Sequence, residues 1–336
     1  MARACYSLIY AVRNNGLDCE SNGIRNVFKI KEHMKEKKKR QEVMNTTDFY
    51  IQTSEFTELG FYREFARNLP DDINELCLLQ RYQTIHPVGL LNPKTRMDKE
   101  GFWGNLSEIP LTRLNFEEDY FPNALSMFAE LLRLNPSYTK DRTAKDKIHI
   151  TCRGQAIMLA ATLKTKGIPA RVRSGYADYI RTAGNYLDHW ITEYYDKENN
   201  RWILADADIH CDPHIDFDPN DIPRDRYLTG AQAYLKLRKG ELSDEQLSYA
   251  SWPITHGIAA AIRGVFYDFH CLMNHEIVFL HQPAYVSDKK FELSDEELRE
   301  IDQLAELMLE SDKNFSLLLE IWNQNDKFRI LRGGLN

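Results

Sequence analysis

The feature that most constrains this chain is an order of three chemistry-bearing residues between Thr151 and Asp208. The stretch begins T-C-R-G-Q-A-I-M-L-A-A-T-L-K-T-K-G-I-P-A-R-V-R-S-G-Y and, after a loop, continues D-H-W-I-T-E-Y-Y-D-K-E-N-N-R-W-I-L-A-D-A-D. Ala156, Leu159, Ala160 and Leu163 recur at i, i+3, i+4 and i+7, which predicts one face of a helix. Cys152 lies four residues before Ala156 and shares that face, and Gly167 with Pro169 ends the helix. Helix N-termini favour anionic groups, and a thiol placed there is how a reactive cysteine is made.

Strands should follow. Ala170, Val172, Ser174 and Tyr176 alternate with Arg171 and Arg173, the pattern of a half-buried strand. His189, Ile191, Glu193 and Tyr195 share a face of the next strand, and Trp202, Leu204 and Asp206 share a face of a third. Asp196-Lys197-Glu198-Asn199-Asn200 reads as the turn of a hairpin joining those two. With Glu198 at its centre, paired positions sum to about 396 and His189 falls opposite residue 207, beside Asp206. A carboxylate there can orient the imidazole and stabilise its cation. A buried cysteine packs well without any chemistry, but these partners at hairpin spacing favour a nucleophile. Asp208 has the same strand parity as Asp206, and the Trp202-x-x-x-Asp206 spacing favours Asp206.

These residues carry a resemblance. A Cys at a helix start, His-Trp on a strand and Trp-x-x-x-Asp on the next resemble the transglutaminase-like superfamily, as does G-I-P-A-R-V-R-S-G-Y between them. The resemblance implies an α+β fold with a papain-like core and thioester chemistry. Cys152 would be the nucleophile, His189 the base and Asp206 the third member. Thr151 stands where a glycine is commoner, and Arg153-Gly154 replaces the Trp-Val of animal transglutaminases. No acidic calcium loop like theirs is visible, so the expected activity is hydrolysis of an amide (amidase or peptidase) or transfer to a small amine. The expected partners are a peptide or small-molecule amide and, for transfer, an amine acceptor, with no cofactor. The competing expectation is a catalytically silent fold acting as a binding module.

Net charge decides against one class of partner: at −7 over 336 residues, no broad nucleic-acid or anionic-membrane footprint is expected. No run of about 18 apolar residues predicts a membrane span, and Met1 to Gly16 lacks the uninterrupted apolar stretch of a signal peptide. The six cysteines show no framework spacing. A cytoplasmic protein with reduced thiols is the expectation.

Four regions are expected. Residues 1–43 are a charged tail outside the fold, its Lys29–Glu42 run having almost nothing to bury, and translation could begin at Met44. Residues 44–118 form a segment of helices and loops, with a helical pattern from Thr53 to His86 and Trp103 as a packed anchor. Gln80 or Gln83 is a candidate for the oxyanion hole, though capping or lining a helix is the commoner use. Residues 119–212 form the core, entered by a helix opened at Pro122. Residues 213–336 add helices, including one with Ile254, Ile258, Ile262, Val265, Phe266, Phe269 and Met273 on its apolar face. His256, His270 and His275 on or near it read as structural. His210-Cys211-Asp212-Pro213-His214 holds ligand types in short spacing but only a fragment of a metal set, and reads as a loop.

Overall fold

The computed structural model describes residues 46–91, 103–113, 117–180, 185–210, 212–250, 254–277 and 281–330. The Lys29–Glu42 run, Met44 and Cys211 lie outside them.

A central helix, α6 (Cys152–Thr165), is buried along almost its whole circumference rather than on one stripe. Before it, in chain order, come α1 (Thr46–Ile51), α2 (Arg63–Arg67), α3 (Ile73–Arg81), β1 (Thr84–Ile85), α4 (Pro87–Leu91), α5 (Ala124–Leu134) and β2 (Ile148–His149). The expected helical pattern from Thr53 to His86 therefore breaks into short helices and ends in a strand. Asn123, not Pro122, caps α5, in a capping box with Ser126. Trp103 packs against Ile85, Leu90, Leu106, Ile109 and Ala144.

After α6 come β3 (Ala170–Ala177), β4 (Tyr186–Asp196), β5 (Arg201–Ala205) and β6 (Tyr227–Thr229). Then follow α7 (Gly230–Arg238), β7 (Leu247–Tyr249), β8 (Thr255–His256), α8 (Gly257–Leu272), α9 (Ala284–Ser287), α10 (Asp295–Leu309) and α11 (Phe315–Gln324). Strand order is β6-β3-β4-β7-β8, with β5 also on β4. The β3, β4, β5 and β6 pairings are antiparallel, and β7 runs parallel to β4. The fold is α+β: a helix that opens on Cys152, packed on a largely antiparallel sheet, with helices added on both sides of it in sequence.

Gly167, at φ +80°, adopts the left-handed conformation that ends α6. The Gly167 and Ile168 N–H groups donate to Lys164 O and Leu163 O, each at 2.9 Å. Thr192 Oγ1 donates to Ala156 O at 3.0 Å and ties β4 to the helix. Gly154 is required by close approach, since a Cβ there would lie 2.9 Å from Ile150 Cβ.

Charge is buried on the sheet in a connected set. Glu193 on β4 accepts from Arg171, Arg173 and Arg224, and Arg173 also binds Asp268 on α8. Burial works against the Glu193 carboxylate, but the three guanidinium groups outweigh it and hold its pKa far below the ordinary range.

His270, read as structural, is neutral in this fold. Its Nδ1 donates to Phe266 O at 2.6 Å and its Nε2 accepts the Ile330 N–H at 2.9 Å, which binds the segment after α11 onto α8. Burial, helped by His275, pulls its pKa down to about 3. A base depressed in the folded state takes up its proton first when unfolded, so its contribution is constant above about pH 6.5 and declines below it. We expect wild-type stability, relative to His270→Gln, to fall by about 1.4 kcal/mol per pH unit between pH 6.5 and 4. Urea denaturation of both proteins at pH 7, 6 and 5 is the check, and parallel curves would contradict it. His275 has an acid partner not apparent in the sequence, Glu55 at 3.3 Å.

Candidate functional site

Two strand ends deliver the site. β1 and β2 form a parallel ladder, Thr84 with Ile148 and Ile85 with His149, extended by the Ile150 N–H to Ile85 O at 3.2 Å. Parallel strands run out at the same end, so His86 and the Ile150–Cys152 turn emerge side by side. Thr151 caps α6 in an extended conformation and Cys152 is its first residue, 8% exposed.

A buried carboxylate holds that turn. Glu118 accepts from the Thr151 N–H at 2.8 Å, from the Thr151 hydroxyl, and from Arg153 Nη1 at 2.9 Å. Arg153 donates further to the carbonyls of Pro122, Glu276 and Ile277. The two departures from the commoner sequence, Thr151 and Arg153, are thus one device with Glu118.

His189 on β4 meets Cys152 and Asp206. Its Nε2 is 2.6 Å from Asp206 Oδ2, which leaves Nδ1 free of the carboxylate, and the nearby Cys152 also favours the charged ring. Burial opposes a charge on this ring, yet Asp206 and Cys152 outweigh it and raise its pKa well above the ordinary histidine range. Tyr179 donates to Asp206 Oδ2 at 3.1 Å and sets its ring edge-on to His189 at 5.8 Å. Burial and the nearby Asp206 keep the phenol protonated, hence a donor. Tyr227 fixes the strand by donating to His189 O at 2.9 Å.

The hairpin register differs by one position from the expected one. Thr192 pairs with Ala205, so an extended β5 would set residue 208, not 207, opposite His189. β5 instead stops at Ala205. The Asp206 N–H donates to Pro219 O at 2.8 Å, and the departing chain swings the Asp206 carboxylate onto the imidazole.

Asp208 serves a second histidine. Its N–H donates to Asp206 Oδ1 at 2.9 Å, its Oδ1 accepts from Gln155 Nε2 at 3.0 Å, and its Oδ2 lies 3.8 Å from His86 Nε2. Cys152 is near enough to His86 to favour the charged form of its ring. Burial lowers its pKa, but Asp208 and then Cys152 more than reverse this. Its side chain is 24% exposed against 4% for His189, so it stands at the lip of the site. Asp188, next to His189, accepts the Ala250 N–H at 2.6 Å, and burial lifts its carboxyl to about 6.

The glutamines proposed for the oxyanion hole are spent elsewhere. Gln80 Nε2 donates to Gln155 O at 2.8 Å, and Gln83 Nε2 to Leu79 O and Thr139 O at 2.8 and 2.9 Å. His86, Tyr179, Glu118 and Gln155 were the residues that sequence reasoning missed: the first three share no periodic pattern with Cys152, and Gln155, at i+3 from it, has its partner Asp208 in a distant segment. His210 is bonded to Asn220 at 2.9 Å while His214 is exposed beside Asp212, and among the described residues no three ligand-type side chains converge on a metal position.

A cysteine at a helix start, packed on a largely antiparallel sheet that brings a histidine and a carboxylate beside it, is the arrangement of a papain-like fold. Residues 132–207 match the model of the transglutaminase-like superfamily. A solved structure of a candidate cysteine protease from Cytophaga hutchinsonii is similar over 50% of this chain and 43% of its own, at 14% identity and a TM-score of 0.28. No curated protein matches the chain. Among the described residues no helix is long and apolar enough to cross a membrane.

Proposed function

We propose that this protein performs cysteine-dependent acyl chemistry on an amide substrate through a thioester on Cys152. The observation that carries the reading is a buried His189 engaged by Cys152 on one side and Asp206 on the other. The Cys152 sulfur, its proton transferred to His189, attacks the amide carbonyl carbon, and the carbonyl oxygen becomes an oxyanion. Collapse of this intermediate breaks the C–N bond, and His189 gives the proton to the departing amine, leaving a thioester. Water or an amine then attacks the thioester carbon while His189 takes a proton from it. The products are a carboxylic acid or a new amide, with the thiol and imidazole restored. Asp206 holds the ring orientation and balances its cation, and Tyr179 holds Asp206. N–H groups at the start of α6, which have no partner within the helix, face the oxyanion.

The test is iodoacetamide alkylation across pH with peptide mapping, together with acylation by p-nitrophenyl acetate. Cys77 and Cys271 are internal controls, because burial pushes both thiols far up. Selective alkylation of Cys152, and an acyl adduct on it that is absent from Cys152→Ser, are expected. A Cys152 no more reactive than the controls, with no adduct, would favour a binding module and sink the proposal.

A further inference from the structure

The site holds two histidine–carboxylate pairs around one sulfur, and the proposed thioester chemistry uses only one of them. The second is looser than the first, with 3.8 Å between His86 Nε2 and Asp208 Oδ2 against 2.6 Å between His189 and Asp206. Asp206 and Asp208, two residues apart and joined by the Asp208 N–H to Asp206 Oδ1 bond, address His189 and His86 respectively. Behind Asp208, Gln155 Nε2 donates to its Oδ1, and Gln80 is bonded to Gln155 O in turn. A line of polar groups thus runs from Gln80 on α3 through Gln155 on α6 to Asp208, whose carboxylate stands beside the histidine at the lip.

The proton positions separate a base from a donor. The Val88 N–H donates to His86 Nδ1 at 3.3 Å, so the neutral ring carries its proton on Nε2. The 3.8 Å from Nε2 to Asp208 is too long for a hydrogen bond, which leaves that N–H unspent on the carboxylate. His86 also follows the strand beside the one that leads into Cys152, and that cysteine is near enough to favour the charged form of its ring. A group with this geometry cannot take the thiol proton on Nε2, which already bears one. It can donate where negative charge appears.

We infer that His86 is a further catalytic residue of the acyl chemistry proposed above, donating its Nε2–H to the oxyanion of the tetrahedral intermediate, with Asp208 and Gln155 as positioning residues. It occupies the role for which Gln80 and Gln83 were candidates. The N–H is present in the neutral ring and in the cation alike, so the contribution does not titrate away when the ring loses its charge. The inference rests on the thioester reading, and the experiment separates the two.

The experiment compares acylation of Cys152 by p-nitrophenyl acetate with its alkylation by iodoacetamide in wild type, His86→Ala and His86→Gln. Both reactions consume the same thiolate, so their rate ratio cancels any change in its population. Displacement at the iodoacetamide carbon develops no carbonyl oxyanion. The ratio of acylation to alkylation should fall by about 10²-fold in His86→Ala, by the same factor at pH 6 and pH 8. In His86→Gln, which restores one N–H, it should recover to within about tenfold of wild type. A ratio unchanged in His86→Ala, with wild type acylated, overturns this inference alone; so does a fall that glutamine does not relieve. Wild-type protein that is alkylated but never acylated overturns the thioester reading and this inference with it.

Discussion

His189→Ala is expected to lower the rate of Cys152 acylation by about 10⁴-fold, the largest effect of any single change away from the cysteine itself. In the proposed reaction the side chain does two things at once: it receives the thiol proton and returns it to the leaving amine. The sign of the pH dependence follows from its surroundings. Burial disfavours the cation, but Asp206 and Cys152 prevail and raise the pKa well above the ordinary 6.5. His189 therefore keeps its proton as pH rises past 6.5, and proton delivery to the leaving group persists there until the ring finally deprotonates. Asp206→Asn removes the carboxylate 2.6 Å away and should move this basic limb to lower pH. Rate–pH profiles of acylation for wild type and both variants are the check. A His189→Ala protein within tenfold of wild type, or a limb that stays put in Asp206→Asn, would refute the assigned roles.

Glu118→Ala should be the most destabilising of the substitutions considered, at about 3–5 kcal/mol. It strands the Arg153 guanidinium, fully buried at Nη1, and frees both the Thr151 N–H and its hydroxyl. Because the lost bonds lie at the cap of α6, the damage is delivered to the residue next to Cys152. A buried charge left alone is worse than no charge, so Glu118→Met combined with Arg153→Met should cost less than Glu118→Met by itself. Urea denaturation of the two singles and the double measures this cycle. A single-variant loss below about 1 kcal/mol would mean that the pair is dispensable.

The periodicity of residues 156–163 located α6 because an apolar face repeating at helical spacing has few other ways to be buried. Alternation and a polar turn located β4 and β5 for the same reason. His86 was another matter. It follows a strand of two residues, too short for any period to show, and its neighbour β2 lies more than sixty positions away. Gln80 and Gln83 carried the more suggestive chemistry, but a side chain's use depends on which carbonyls the fold brings to it, and these two met backbone. The competition between Asp206 and Asp208 had the same origin. Sequence treats them as rivals for one histidine, while the fold supplies a histidine for each.

What the sequence alone determined is therefore local: a cysteine opening a helix, a histidine and a carboxylate on hairpin arms, and the elements that carry them, all of which follow from spacing along one chain. Tertiary structure decided the rest. It ended β5 at Ala205 so that Asp206 could reach His189, packed α6 on all sides, and joined Glu118 to Thr151 and Arg153. It also brought His86 beside Cys152. Each of these depends on contacts between residues distant in the chain, where the free energy comes from burial and pairing that no spacing encodes.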